Sequence, residues 1–286
     1  MTAQLLEGRN IAGPIKEGLK KEIAELKEKT GLSPKLVSVQ AGENPASRVY
    51  IKSQTKTAEA LGIEYELKTL AADLSQDSLI AEIKKLNQAE DVSGIIVQLP
   101  LPKGMDHRLV MSKIAPNKDA EGMHPENLGH VLLGDSQFAP CTASAAMELI
   151  VSTGIDLYGK EAVVVGHSEI VGKPLALLLL NKFVTTTVCH IATGERGVLL
   201  EHVKRGEILI VAAGKAELVK GDWVKEGAVV IDVGINRVGE KLVGDVEFEK
   251  AKEKAGFITP VPGGVGPLTV TTLMKNVVNV FKLQHK

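Results

Sequence analysis

The chain has 286 residues, with 34 lysines and arginines against 35 aspartates and glutamates, so its formal net charge is −1 at neutral pH. That balance excludes a protein that holds nucleic acid by bulk electrostatics, which needs a basic excess or stripe. Hydrophobic residues make up 44% and charged residues 24%, which excludes a disordered chain, and the length suits one large or two ordinary domains.

In chain order, Ile11, Ile15, Leu19, Ile23 and Leu26 recur at helical spacing and predict a helix over 10–30, closed by Gly31. The run Leu36-Val37-Ser38-Val39 predicts a strand. Asn44-Pro45 then opens a helix as N-cap and first-turn proline, and Gly62 closes it. A strand at 63–68, a helix at 75–90 and a strand at Ile95–Val97 continue the alternation. Repeated β-α-β order implies a parallel sheet with helical crossovers, which suits a core of branched aliphatics with 28 glycines and only 3% aromatic residues. Prolines 100, 102, 116, 125 and 140 interrupt the rhythm over 100–141, read as an interdomain region and followed by a helix near 142–153. A second alternating block has strands at 162–165, 185–190, 207–213 and 228–233, then a proline- and glycine-rich loop at 259–267 and an apolar C-terminal helix.

Cys141 and Cys189 sit in no pattern that builds a disulfide framework or a zinc site, and no metal is expected. The opening MTAQLLEGRN lacks the basic-then-apolar order of a signal peptide. The longest aliphatic stretch, Leu175–Leu180, is far short of the roughly 18 residues a membrane helix needs. A cytoplasmic protein with neither membrane nor nucleic-acid partner is the expectation.

The clearest local signal is Val163-Val164-Val165-Gly166-His167-Ser168-Glu169-Ile170-Val171-Gly172-Lys173-Pro174. A buried strand ends in glycine, turns and enters an aliphatic helix, an arrangement that aims backbone N–H groups and a helix N-terminus at a pyrophosphate. Ser168 occupies the second glycine position of the usual fingerprint, so the placement of the turn at the head of an α/β block carries the reading. A ribose-reading acid belongs at the end of the second strand, where this chain has Val188-Cys189-His190-Ile191. No arginine for a 2′-phosphate stands in the turn or directly after His190, and Arg196 lies deeper in a loop, so NAD is favoured over NADP.

Several segments together resemble the methylenetetrahydrofolate dehydrogenase/methenyltetrahydrofolate cyclohydrolase family. They are Gly42-Glu43-Asn44-Pro45-Ala46-Ser47 with Tyr50, Val97-Gln98-Leu99-Pro100-Leu101-Pro102, Lys118-Asp119 with Gly122, and Pro140-Cys141-Thr142. The Gly166–Pro174 turn, Asp232-Val233-Gly234-Ile235-Asn236 and Thr259-Pro260-Val261-Pro262-Gly263-Gly264-Val265-Gly266-Pro267 complete the set. The resemblance implies an α/β protein of two domains around a cleft, the second a Rossmann-like doubly wound parallel sheet. On that plan residues 1–140 bind the folate, 141–267 bind the nicotinamide cofactor, and the helix 268–286 packs back on the first domain. It implies a homodimer joined through the cofactor domain. It further implies oxidation of 5,10-methylenetetrahydrofolate, then hydrolysis of the methenyl product.

By the same resemblance, the catalytic positions are Tyr50, Gln54, Gln98 and Glu121, with Val97, Leu99, Pro262, Gly263, Gly264 and Val265 also bordering the folate. Gly166, His167, Ser168, Ile170, Val171, His190, Ile191, Ala213, Gly214 and Ile235 fall to the cofactor. Two positions depart from the family pattern: Gln54 stands where the family has its catalytic lysine, and Glu121 replaces the second acid of its K-D-x-D-G segment. Hydride removal from a carbon between two nitrogens needs placement alone, whereas hydrolysis needs a group that moves protons, and an amide does not titrate. Lys52 and Lys56 point about 200° away from the Tyr50–Gln54 face by the helical period. A dehydrogenase with weak or absent cyclohydrolase activity is therefore expected.

The residues leave alternatives. One is the fully bifunctional enzyme, with another base or a water chain replacing the lysine. A second is a non-catalytic folate-binding regulatory partner, against which the dinucleotide turn argues. A third, an amino-acid or shikimate-type dehydrogenase, needs a Lys–Asp pair in the cleft, but Lys118 and Asp119 are adjacent and point apart in extended chain. Asp119 reads as fixing its own loop, and His124 and His130 lack a ligand set.

Overall fold

The structure is a computed structural model that describes residues 2–285, so the expected outer bounds of the first domain and of the C-terminal helix, at 1 and 286, lie outside the described residues. Its strands are β1 (Gln4–Leu5), β2 (Lys35–Ala41), β3 (Glu64–Leu70), β4 (Gly94–Val97), β5 (Glu161–Val165), β6 (Thr185–Cys189), β7 (Ile208–Val211), β8 (Val229–Asp232), β9 (Asn236–Val238), β10 (Lys241–Val243) and β11 (Phe257–Ile258). The helices are α1 (Gly8–Thr30), α2 (Pro45–Leu61), α3 (Gln76–Gln88), α4 (His107–Met111), α5 (Pro125–Leu133), α6 (Cys141–Ser152), α7 (Gly172–Leu180), α8 (Ile191–Glu195), α9 (Leu199–Val203), α10 (Phe248–Lys254) and α11 (Val265–Gln284). The chain divides into two units, one of residues 14–130, 136–139 and 270–286, the other of 1–13, 131–135 and 140–269.

The first unit holds a parallel sheet of order β3-β2-β4. Val37, Val39, Ile95 and Val97 alternate onto one face and pack against Leu79, Ile83 and Leu86 of α3 and Val110 and Met111 of α4. Ser75 caps α3 by accepting from the Ser78 N–H. The other face presents Leu36, Ser38 and Ile96, and Tyr65 joins it because β3 pairs Tyr65 with Leu36. On that face Val277 of α11 comes within reach of Gly94, where an added Cβ would lie 3.3 Å from its methyl group.

The second unit holds six strands in the order β1-β11-β8-β7-β5-β6, every neighbouring pair parallel. β5, β7 and β8 read VVV, ILIV and VVID and are almost wholly buried, as strands covered by helices on both faces must be. From β5 the chain crosses to β6 on one side, then to β7 on the other, so a switch point opens above β5 at the carboxyl ends of the strands, where such folds collect ligands.

The structure departs from the sequence reading in four places. Residues 1–13 go with the second unit, because the Leu6 N–H donates to the Ile258 carbonyl (2.8 Å) and β1 extends that sheet. The interdomain stretch carries α4 and α5, each begun at or just after a residue that serves a helix start: Asp106 accepts from the Arg108 and Leu109 N–H groups, and Pro125 opens α5. The antiparallel hairpin β9–β10 and the short strands β1 and β11 were not anticipated. Finally α11 starts at Val265, so the end of the glycine-rich loop forms its first turn. No described helix is long and apolar enough to cross a membrane.

Candidate active site

In the first unit, the inward stripe of α2 runs Ser47, Ile51, Gln54, Ala58 and Leu61, all buried. Gln54 is 0% exposed and lies over the Ser38 face of the sheet. Its Oε1 accepts from the Tyr65 hydroxyl (2.9 Å) and from Gln98 Nε2 (3.1 Å), which also donates to Ser38 Oγ (2.9 Å). Burial holds the Tyr65 hydroxyl above its ordinary pKa, so it serves as a donor and not as a base. Gln54 Nε2 is buried without a hydrogen-bond partner among the described residues, a condition that costs about 1–3 kcal/mol. Gln54 and Gln98 are thus brought together, with Tyr50 partly buried one turn before Gln54. Lys52 and Lys56 are exposed. Val97, placed at the folate, is 1% exposed in the sheet core, which leaves only its backbone for a ligand, while Leu99 is partly buried.

The segment after the 3₁₀ turn Pro116–Lys118 runs parallel to β4, with Asp119 bridged to Ile95. Asp119, 1% exposed, accepts from the Gly122 N–H (3.0 Å), the His124 N–H (2.6 Å) and Asn127 Nδ2 (2.9 Å), so it fixes its own loop. Lys118 turns away and donates to the Leu86 and Ala89 carbonyls at the end of α3. Lys118 and Asp119 therefore do not form the pair that the third alternative needs. Glu121 is pushed up to about 8, first by burial and then by the Asp119 charge. Because the folded pKa is raised, the stability it affects is present below the ordinary carboxyl range near 4.5 and is lost as pH rises towards 8. Glu121→Gln is therefore expected to flatten the decline of Tm between those pH values, read by thermal melts in matched buffers.

In the second unit, Gly166 ends β5 with φ +121°, and a Cβ there would collide with the Ala212 carbonyl. A Cβ at Gly172 would collide with the Gly166 carbonyl, so the turn and the start of α7 pack at a distance only glycine permits. Ser168 Oγ accepts from the Val171 N–H (3.2 Å) and closes the turn. A cavity of about 860 Å³ opens at this point, within the range of cofactor sites. Gly166, His167, Ser168, His190, Ile191 and Ala213 line it; Ile170, Val171, Gly214 and Ile235 are not among its lining residues. Leu199, Lys215, Leu218 and Trp223 line it too, which the sequence reading missed. The volume, the glycine turn and the apolar wall fit a dinucleotide.

The loop after β7 is held from behind. Asp245, 0% exposed, accepts from the N–H groups of Ala213 (2.6 Å), Gly214 (2.8 Å) and Lys215 (2.9 Å) and from Asn236 Nδ2 (2.8 Å). Asp232 in turn accepts from the N–H groups of Gly234 (3.0 Å), Asp245 (3.0 Å) and Val246 (2.8 Å). Burial pushes its carboxyl up to about 6. The Pro262–Val265 loop belongs to this unit: Gly8 donates to the Gly263 carbonyl (2.9 Å) and Gly264 to that of Pro260 (2.8 Å). Pro262 is exposed, whereas Val265 is 5% exposed at the head of α11.

A parallel sheet with a glycine turn and a cavity at its switch point defines a Rossmann-type dinucleotide-binding protein, joined to a second α/β unit with a polar cluster of its own. Residues 6–121 match the model of the tetrahydrofolate dehydrogenase/cyclohydrolase catalytic domain, and 140–285 that of its NAD(P)-binding domain. The chain belongs to the tetrahydrofolate dehydrogenase/cyclohydrolase family. It is 48% identical over 283 residues to the bifunctional protein FolD of Bacillus pumilus, covering 99% of each chain. Among solved structures, the bifunctional FolD enzyme of Campylobacter jejuni matches with a TM-score of 0.94 at 44% identity, over 98% of this chain and 99% of that one. The FolD of Trypanosoma brucei, complexed with NADP cofactor and an inhibitor, matches with a TM-score of 0.95 at 39% identity, over 100% and 99%. These names favour the bifunctional alternative over the expectation of weak or absent hydrolysis.

Proposed function

We propose that the chain oxidises the one-carbon bridge of 5,10-methylenetetrahydrofolate with a nicotinamide dinucleotide and hydrolyses the methenyl product. The observation that carries the oxidation is the cavity at the β5 switch point, floored by the Gly166 turn. The cofactor, when bound there, supplies a hydride acceptor. The chain's part in that step is placement and exclusion of water, because the lone pairs of the two flanking nitrogens stabilise the cation left behind. Tyr50, Gln98 and Glu121 face the folate in this reading, with the backbone of Val97 and Leu99 and the Pro262–Val265 loop. Gly166, His167, Ser168, His190, Ile191 and Ala213 hold the cofactor, with Ile170, Val171, Gly214 and Ile235 at its margin. NAD is favoured over NADP in this reading, since no arginine for a 2′-phosphate stands in the Gly166 turn or directly after His190.

Hydrolysis is supported by the full-length relatives, which are named as bifunctional proteins. Glu121, pushed up to about 8, titrates near neutrality, as a proton-moving group should. A specific observation favours the narrower reading of weak hydrolysis: position 54 holds an amide whose oxygen is tied to Tyr65 and Gln98. A homodimer through the cofactor unit is supported by its exposed apolar side chains, among them Leu133, Tyr158 and Phe183, each 73–75% exposed. Paired kinetics test the proposal, with both oxidation and hydrolysis measured in one preparation whose mass is read by light scattering. Oxidation with neither nicotinamide would overturn the function, hydrolysis at the buffer rate would select the narrower reading, and the mass of a single chain would overturn the dimer.

A further inference from the structure

We infer that Tyr65, together with Gln98, fixes the direction of the Gln54 amide so that Gln54 Nε2 donates to the oxygen that water adds to the methenyl carbon during hydrolysis. Gln54 is then the donor that touches the reacting oxygen, and Tyr65 is a positioning residue that acts through it. This inference rests on the bifunctional reading of the chain and deepens it.

The hydrogen bonds carry the argument. An amide oxygen has two lone pairs, and both of those on Gln54 Oε1 are taken, by the Tyr65 hydroxyl (2.9 Å) and by Gln98 Nε2 (3.1 Å). Gln98 is itself oriented by a second bond, from its Nε2 to Ser38 Oγ (2.9 Å). Turning the Gln54 amide over would set its NH2 group against that of Gln98, donor against donor. Ser38, Gln54 and Gln98 are buried, and Tyr65 reaches them from β3, the strand beside β2. Burial holds the Tyr65 hydroxyl above its ordinary pKa, so it stays protonated and keeps donating. The arrangement leaves Gln54 Nε2 buried without a hydrogen-bond partner among the described residues. A donor in that condition calls for an acceptor on a ligand.

The reaction supplies one. Water oxygen bonds to the methenyl carbon, the C=N π pair returns to nitrogen, and one water proton leaves to solvent. The adduct then breaks its C–N bond: the departing nitrogen takes a proton, and the oxygen gives up its remaining one to become the formyl carbonyl. Negative charge gathers on that oxygen as the proton leaves, and a fixed N–H donor aimed at it lowers the barrier without any titration of its own. An amide free to turn would present its oxygen half the time and repel the same charge. Fixing it in advance is the contribution of Tyr65. Oxidation puts no oxygen on the carbon and draws nothing from this donor.

The test is a double-mutant cycle on the full chain, with Gln54→Met, Tyr65→Phe and the two combined. Hydrolysis of methenyltetrahydrofolate and oxidation of methylenetetrahydrofolate are measured in each preparation, and oxidation reports that the variant has folded. Gln54→Met is expected to lower kcat for hydrolysis about a hundredfold, the scale of one lost donor, with oxidation changed less than about threefold. Tyr65→Phe should lower kcat for hydrolysis about tenfold, leaving its KM and the oxidation within about threefold. Placed on top of Gln54→Met, Tyr65→Phe should cost hydrolysis nothing more, because the group it orients is gone. Full hydrolysis in Gln54→Met, an additive cost of Tyr65→Phe in the combined variant, or a parallel fall of both activities in Tyr65→Phe overturns the inference and leaves the bifunctional reading standing. Hydrolysis by the parent protein at the buffer rate overturns both together.

Discussion

Replacing Gln54 by lysine is expected to raise hydrolysis of methenyltetrahydrofolate by about a hundredfold or more, the usual scale of a positioned proton carrier, while oxidation of methylenetetrahydrofolate changes less than about threefold. The reason lies in what surrounds position 54. Its side chain is 0% exposed, between the Tyr65 hydroxyl and the Gln98 amide. An ammonium at that depth is desolvated, which lowers its pKa and fits it to give and take protons near neutrality. The Tyr65 hydroxyl oxygen is an acceptor within reach, so the charge would not be stranded. In the proposed reading oxidation does not use position 54, and a parallel fall in both rates would mean that the substitution disturbs the sheet face. A variant that folds, oxidises normally and gains no hydrolysis would show that the hydrolytic rate is set elsewhere, with Glu121 the next residue to replace.

Asp245→Ala is expected to lower stability by on the order of 4 kcal/mol and to raise the KM for the nicotinamide at least about tenfold, with kcat affected less. One carboxyl group serves three successive N–H groups of the loop after β7 and the Asn236 amide. Removing it leaves four donors to find water, and lets the Ala213–Lys215 wall of the cavity relax. Asp245→Asn keeps the size but gives up one oxygen, and should fall between parent and alanine in both Tm and KM. Denaturant melts and cofactor-dependent kinetics on both variants check this; a stability loss without a KM change would confine Asp245 to holding the fold.

The fold was legible wherever burial imposed a pattern. β2, β4, β5, β7 and β8 are runs of branched aliphatics buried on both faces, and α2 carries its start signal in Asn44-Pro45. α4 and α5 were hidden by prolines that read as breakers but stand near or at helix starts. β1 and β11 have two residues each and exist only because a distant strand offers them partners. β9 and β10 are mostly exposed, so no alternation marks them. The Gly166 turn announced the cofactor cavity by local grammar, and the Gln54–Gln98 pairing followed from the family resemblance. Tyr65 and Asp245 were not visible. Tyr65 meets Gln54 through a strand and a helix laid face to face, and Asp245 serves residues some 30 positions earlier in the chain.

The assignment of residues 1–13 to the six-stranded unit and of 270–286 to the other bears on how the polypeptide is made. A ribosome releases the edge strand of one sheet before the rest of that sheet, and the covering helix of the other after its sheet is made. Neither half of the gene encodes a finished body. Severing the coding sequence near residue 140 would yield one product missing the helix over 270–286 and another missing its outermost strand, so these two segments must be made together for either body to close.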